Sequence, residues 1–479
     1  MPDSIATPGL VAPGDVVPAQ AASAHGRTGL AASPRLLWAP HAWVGGRWRN
    51  AVLLRIDASG HWCEISPESA CPPEAAPLPA PVLPGLINAH SHAFQRAFVG
   101  LAERCAAGRD DFWSWRDGMY RVALRIDAAQ LRVLAAQLYR ELLAGGYTQV
   151  CEFHYLHHRS DGSRHTALAE MSLALADAAA ATGIGLTLLP VLYERAGFTQ
   201  PALRADQRRF ATSVKDVLAL RREIDAAHCP LVNSGVAAHS LRAARAESVL
   251  ALAERSGSGP IHIHVAEQTQ EVQDCLAATG QRPVAWLAAH APLDARWHLV
   301  HATHSEPAEI EAVARSGAGI VITPGTEANL GDGLTDLPGW LRAGVPLAIG
   351  SDSQVTRAWP EELRWLEYGQ RLLHRRRNIA ADTGGGETAT ASRLFNCVQR
   401  GGAAAAGFAH WGLEVGARAD LLVLNTDDSA LAGVAHQHLL DATIFAAPAA
   451  PFAAVMVAGR WVEAGADLGA FRQVMAELR

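Results

Sequence analysis

Leu83-Pro84-Gly85-Leu86-Ile87-Asn88-Ala89-His90-Ser91-His92 is an apolar run that closes on two histidines. It reads as a buried strand over about 83–90. Seven further apolar runs follow, near 148–154, 185–193, 232–238, 261–266, 297–302, 318–323 and 346–350. Amphipathic helical stretches lie between them, including Ala128–Leu143, Arg208–Ala226, Ala246–Glu254 and Pro307–Ser316. Eight buried strands alternating with helices predict an α/β fold, a closed (β/α)8 TIM-type barrel over residues 83–408. A doubly wound open sheet competes, but no glycine-rich phosphate loop follows the first strand. In either fold, chemistry belongs at the carboxyl ends of the strands.

Outward from the barrel, both flanks carry short β-like patterns. Residues 36–82 include Gly45-Gly46 as a turn between apolar pairs, and 409–479 include strand patterns at 419–424 and 455–462, the latter a hairpin. Neither flank holds a full core alone, so a small β-sandwich built from both chain ends is expected. Residues 1–35, rich in Ala, Pro, Gly and Ser without periodicity, read as a disordered tail and not a signal peptide.

The 479 residues are 49% hydrophobic and 18% charged, enough to bury a large core. A net charge of -6 argues against nucleic acid as a partner, and no apolar run of eighteen residues predicts a membrane span. Of 41 basic residues only Lys215 is lysine, which disfavours a phosphate-binding P-loop. Seven scattered cysteines without a C-x-x-C pair read as thiols of a reducing compartment, with the cytoplasm as the default location.

The 21 histidines are the informative residues. About one H-x-H pair is expected by chance at this frequency, so the spacing alone is weak. Position lifts it. His90 and His92 end strand one, His262 and His264 with Glu267 end strand five, His301 with His304 ends strand six, and Asp352 ends strand eight. In a barrel these ends converge on one mouth. Residues i and i+2 of a strand face the same side, so His90 and His92 can share one ion. A strand-five imidazole and Asp352 complete the set. His264 is favoured over His262 because Glu267 then reaches the leaving group beside the same cation. Three nitrogens and an oxygen with room for water suit one zinc ion best, with iron or manganese as alternatives.

These residues resemble the amidohydrolase superfamily: Pro84 through His92, His264-Val265-Ala266-Glu267, His301, Ser351-Asp352, and Gly412 through Leu421 as the closing sandwich strand. Within it, the chain is most similar to the formimidoylglutamate deiminases. That likeness rests on His90 through Ala97, Phe112-Trp113-Ser114-Trp115-Arg116-Asp117-Gly118-Met119-Tyr120, Glu152 through His158, and His239-Ser240-Leu241-Arg242. Binuclear members bridge their metals with a strand-four lysine. Here strand four offers His239 and the only lysine lies in a helical stretch, so one metal is expected.

The resemblance implies hydrolysis of N-formimidoyl-L-glutamate to N-formyl-L-glutamate and ammonia. The cation would acidify a water, Asp352 take its proton, Glu267 protonate the imino nitrogen, and His301 orient the hydroxide or stabilise the tetrahedral intermediate. A substrate with two carboxylates needs cations and donors. Arg116, Tyr155, His239 and Arg242 are the candidates, with Gln95 nearer the reacting end and Arg96 competing with Arg116. Trp113 and Trp115 are given a lid or wall role. His154, His157 and His158 read as a hydrogen-bonded loop, and Arg375-Arg376-Arg377 as a solvated helix end. Barrels of this superfamily often pair, which makes a homodimer an expectation of the likeness. The rival readings are a superfamily deaminase of a purine, pyrimidine or triazine ring, and a non-catalytic metal-binding scaffold.

Overall fold

The computed structural model describes residues 35–103, 111–463 and 468–479. The expected tail of residues 1–35 thus lies, but for Arg35, outside the described residues, as does Cys105. Five strands open the chain: β1 (Leu36–Val44), β2 (Arg47–Ile56), β3 (Trp62–Ser66), β4 (Ala76–Pro77) and β5 (Val82–Leu83). Gly45 and Gly46, at φ 60° and 77°, make the tight turn that joins β1 antiparallel to β2. Both glycines are left-handed, as a two-residue hairpin requires.

The central strands are β6 (Leu86–Ser91), β7 (Tyr147–His154), β8 (Gly185–Leu192), β9 (Val232–Ser234), β10 (Val236–Ser240), β11 (Ile261–Val265), β12 (Trp297–His301), β13 (Gly319–Ile322) and β14 (Leu347–Ile349). They pair in parallel in the order β6-β7-β8-β10-β11-β12-β13-β14, with β9 alongside β8. Except in β9 and at His239, every residue of these strands is buried, because the ring interior covers one face and the helices the other. The ring closes where Ser91 bridges Asp352. Asp352 N–H donates to His90 O at 2.9 Å, and His92 N–H donates to Asp352 O at 3.3 Å.

Two expectations shift in detail. The first barrel strand begins at Leu86, not Leu83, since Val82–Leu83 pairs with β1 in the other sheet. The fourth strand breaks at Gly235, where a Cβ would lie 2.4 Å from the Pro260 carbonyl, and β10 then runs on to carry His239 and Ser240. The helices sit where periodicity placed them, with one exception. The stretch from Arg208 is a short turn before the helix Val214–Ala226, whose start is set by Ser213 accepting the Asp216 N–H. Arg209 is instead buried, donating to the carbonyls of His158 and Ala123.

The last strands, β15 (Leu421–Leu424), β16 (Phe452–Val457) and β17 (Arg460–Val462), join the first five in one sheet, β17-β16-β15-β5-β1-β2-β3. That sheet curls until its far edge returns, with Trp62 N–H donating to Ala417 O at 2.9 Å. The enclosed core contains Leu37, Val52, Leu54, Trp62, Val82, Leu421, Val423 and Met456. The two flanks therefore share one apolar interior, the sandwich expected from both chain ends.

Candidate metal centre

The strand ends bring three imidazoles to one point. His90 Nε2 lies 3.1 Å from His92 Nε2 and 3.0 Å from His264 Nε2. Asp352 Oδ1 is 3.5 Å from the first and 3.3 Å from the second. Donor atoms tetrahedrally arranged at zinc distances of about 2.0–2.1 Å sit roughly 3.3 Å apart. His92 and His264 each donate Nδ1–H to a backbone carbonyl, Phe153 O and His239 O, both at 2.9 Å. A neutral ring that donates from Nδ1 presents a lone pair at Nε2. Two lone pairs and a carboxylate thus converge on His90, which has at most one Nε2 proton to offer. The donor set fits a divalent cation.

Burial holds His90 and His264 far below the usual imidazole range and pulls His92 down to about 3, so all three rings are neutral. Burial, aided by Glu267 and Glu327, pushes Asp352 up to about 7. His301 goes the other way. Burial lowers it, but Glu267, Glu327 and Asp352 together outweigh that and raise it to about 10.

His262, the other strand-five candidate, points to the barrel floor. Its Nε2 donates to Ala405 O at 2.8 Å, at the carboxyl end of the helix Thr390–Ala405. His264, and not His262, is the strand-five ring that lies beside His90.

The ligand-bearing strand ends are held by a buried polar seam. Asn88 Nδ2 donates to Ser351 Oγ at 2.6 Å, and Ser351 N–H donates to Asn88 Oδ1 at 3.0 Å. Gln354 Nε2 donates to Ser91 Oγ at 3.0 Å, and Ser91 Oγ donates to Glu152 at 2.9 Å. The backbone itself is bent here. Ala266, His301, Ala302, Asp352 and Gln354 all have positive φ, between 46° and 71°. Each such residue costs on the order of 1 kcal/mol, a cost found where side chains are aimed for function.

Beyond the histidines lies a cavity that opens to solvent. Every residue proposed for substrate contact lines it: Gln95, Arg116, Tyr155, His239 and Arg242, together with Glu267, His301 and Asp352. Gln95 Nε2 donates to Tyr155 Oη at 3.2 Å. The guanidiniums of Arg116 and Arg242 stack on Trp113, at 4.6 and 5.5 Å from the ring centre. Among the described residues, Arg116 Nε and Arg242 Nη1 are buried without a hydrogen-bond partner. Trp115 is in the wall, while Trp113 supports the two arginines. Arg96 is excluded as a competitor, since both its bonds run to Glu141, at 2.8 and 3.0 Å. His154 ends β7 and is not part of the loop; His157 and His158 are, their backbone N–H groups both donating to Arg209 O at 3.1 Å.

Several site neighbours escaped the sequence. Tyr120 and Tyr193 line the cavity with hydroxyls 3.0 Å apart. Glu327 lies 3.4 Å from His301 Nδ1, and Asp332 approaches Glu267 and His301. Glu327 follows β13 by five residues, so scanning every strand end for carboxylates, strand seven included, finds it. Tyr193 directly follows β8, so it too sits at a strand end.

The sequence description of the Amidohydrolase family matches residues 82–462. A formimidoylglutamate deiminase of Pseudomonas aeruginosa is 45% identical over 455 residues, spanning 92% of this chain and 99% of that protein. The crystal structure of an amidohydrolase from Brucella melitensis superposes with a TM-score of 0.87 at 39% identity, covering 93% of this chain and 99% of that one. An adenosine deaminase from Xanthomonas campestris, solved with bound zinc, shares the fold at a TM-score of 0.74 and 21% identity, over 92% and 97%.

Proposed function

The chain belongs to the amidohydrolase family, and from that premise we propose that it hydrolyses N-formimidoyl-L-glutamate to N-formyl-L-glutamate and ammonia, a step of histidine degradation. The observation that carries this reading is the cavity's polarity. The three-histidine cluster and the guanidiniums of Arg116 and Arg242, each with one buried nitrogen that has no hydrogen-bond partner, line the same cavity. Planar guanidiniums bind carboxylates through paired hydrogen bonds, which suits a substrate with two carboxylates. A flat purine or triazine ring offers them no anion.

His90, His92, His264 and Asp352 would hold one divalent ion, zinc in first place. When bound, the ion supplies Lewis acidity that lowers the pKa of a water. Asp352 accepts the water's proton. Its Oδ2 side is steered by Thr323 Oγ1 at 3.4 Å, and His301 Nε2 lies 3.9 Å away. Glu267, with Oε1 3.7 Å from His301 Nε2 and Oε2 4.0 Å from Arg242 Nη2, delivers a proton to the imino nitrogen and takes back the hydroxyl proton. The proton held by Asp352 passes to the same nitrogen as the C–N bond breaks and ammonia leaves. His301, its cationic form favoured by the surrounding carboxylates, stabilises charge on the tetrahedral carbon's oxygen. Gln95 and Tyr155 orient the formimidoyl end, and His239 with the two arginines holds the glutamate. The six cysteines among the described residues are all unpaired, which supports a cytoplasmic location. No helix of the described residues is long and apolar enough to cross a membrane.

Ammonia release from formimidoylglutamate, guanine, cytosine and adenosine, measured side by side, tests the assignment. Turnover of formimidoylglutamate alone is expected; preference for a base overturns it.

A further inference from the structure

Beside the histidine cluster a second group of ligand atoms meets. Glu267, His301 and Asp332 each bring one oxygen or nitrogen within 4.8 Å of the other two, and all three are buried. The His301 ring is braced as metal-ligating rings are. Thr323 Oγ1 lies 3.1 Å and Glu327 Oε1 3.4 Å from Nδ1, leaving Nε2 to face Glu267 Oε1 at 3.7 Å. Asp332 accepts from Gln268 Nε2 with one oxygen, while Oδ2 is buried without a hydrogen-bond partner. Charge points the same way. Glu267, Glu327, Asp332 and Asp352 are buried around His301, and the nearby Arg242 approaches only Glu267, at 4.0 Å. Four buried carboxylates against one imidazolium and one guanidinium leave negative charge uncompensated, and a divalent ion that displaces the His301 Nε2 proton offsets that cost.

We propose that Glu267, His301 and Asp332 form a second, weaker site for a divalent first-row cation, and that filling it inhibits the enzyme. One imidazole and two carboxylates suit zinc or manganese. None of His90, His92 and His264 contributes; Asp352 Oδ2, 3.9 Å from His301 Nε2, is the link between the two places. The inhibitory part rests on the catalytic roles proposed above, because the ion would occupy the very atoms Glu267 and His301 bring to the substrate. The binding part does not.

The test titrates zinc into enzyme already carrying one equivalent, reading bound metal by equilibrium dialysis and ammonia release in parallel. Wild type should take a second equivalent, with activity falling along the same isotherm. Asp332→Asn should weaken that second equivalent at least tenfold and keep the first. In His90→Ala the first equivalent should be lost and the second retained, which separates failure of the histidine cluster from failure of this site. Saturation of wild type at one equivalent overturns the proposal whatever the variants do. Equal second-site affinity in Asp332→Asn also overturns it, and binding without inhibition overturns its regulatory half.

Discussion

Glu267 and Asp352 are both buried carboxylates at the barrel mouth, yet only Asp352 faces the Nε2 atoms of His90 and His92. Their variants should therefore part company. Glu267→Gln removes the proton donor but no ligand of the histidine site, so kcat should fall by about 10²–10⁴ while the first equivalent of metal, read by atomic absorption, is retained. Asp352→Asn should lower metal content itself. In the cavity wall, replacing Arg116 or Arg242 with Met removes a charge-assisted bond worth about 1.5–3 kcal/mol, raising KM roughly 10- to 100-fold. Steady-state kinetics check this, and an unchanged KM in both variants contradicts carboxylate binding by these residues. His90, His92, His264, Glu267, His301 and Asp352 were legible because strand ends tie them to periodic apolar runs. Asp332 was not, since it lies beyond the helix Pro324–Leu330, where no alternation fixes a direction, and Glu327 is reached only by looking five residues past the end of β13.

Among the elements, strand four shows what periodicity misses. Its apolar run predicts one strand, but the approach of the Pro260 carbonyl allows no side chain at 235 and divides it. Gly235→Ala should force the Pro260 backbone aside and cost about 1–3 kcal/mol in urea denaturation. Because β10 carries His239, whose carbonyl orients His264, the same variant should also weaken metal binding. The helix from Arg208 was over-extended for a related reason. Apolar spacing continues through Phe210, but Arg209 finds carbonyl partners in the core, and the Ser213 cap decides the start. His262 could not be separated from His264 by spacing, since both face inward. Depth along β11 decides between them, and the helix end under the barrel sets that depth.

At the scale of the molecule, a buried ion pair beside the curled sheet also reaches the barrel. Arg418 binds Asp420 at 3.0 and 2.7 Å, and also reaches Gln149 Oε1 at 2.8 Å and Thr148 O at 3.0 Å at the barrel's lower rim. Arg418→Ala leaves Asp420 buried without its cation and should cost about 3–5 kcal/mol by denaturant unfolding. Much of that loss should return in Arg418→Met combined with Asp420→Leu, if the pair serves packing and not chemistry. The alternation of strands and helices made the barrel visible in the sequence. Curling the flanking strands into a single sheet depends on pairing between residues more than 300 positions apart, which local patterns do not encode.

Ammonia release from formimidoylglutamate, followed before chelation, after it, and after return of one equivalent of zinc, probes the cation most directly. Activity should vanish with the metal and come back with that single equivalent. Full turnover by metal-free protein would contradict the role given to His90, His92, His264 and Asp352.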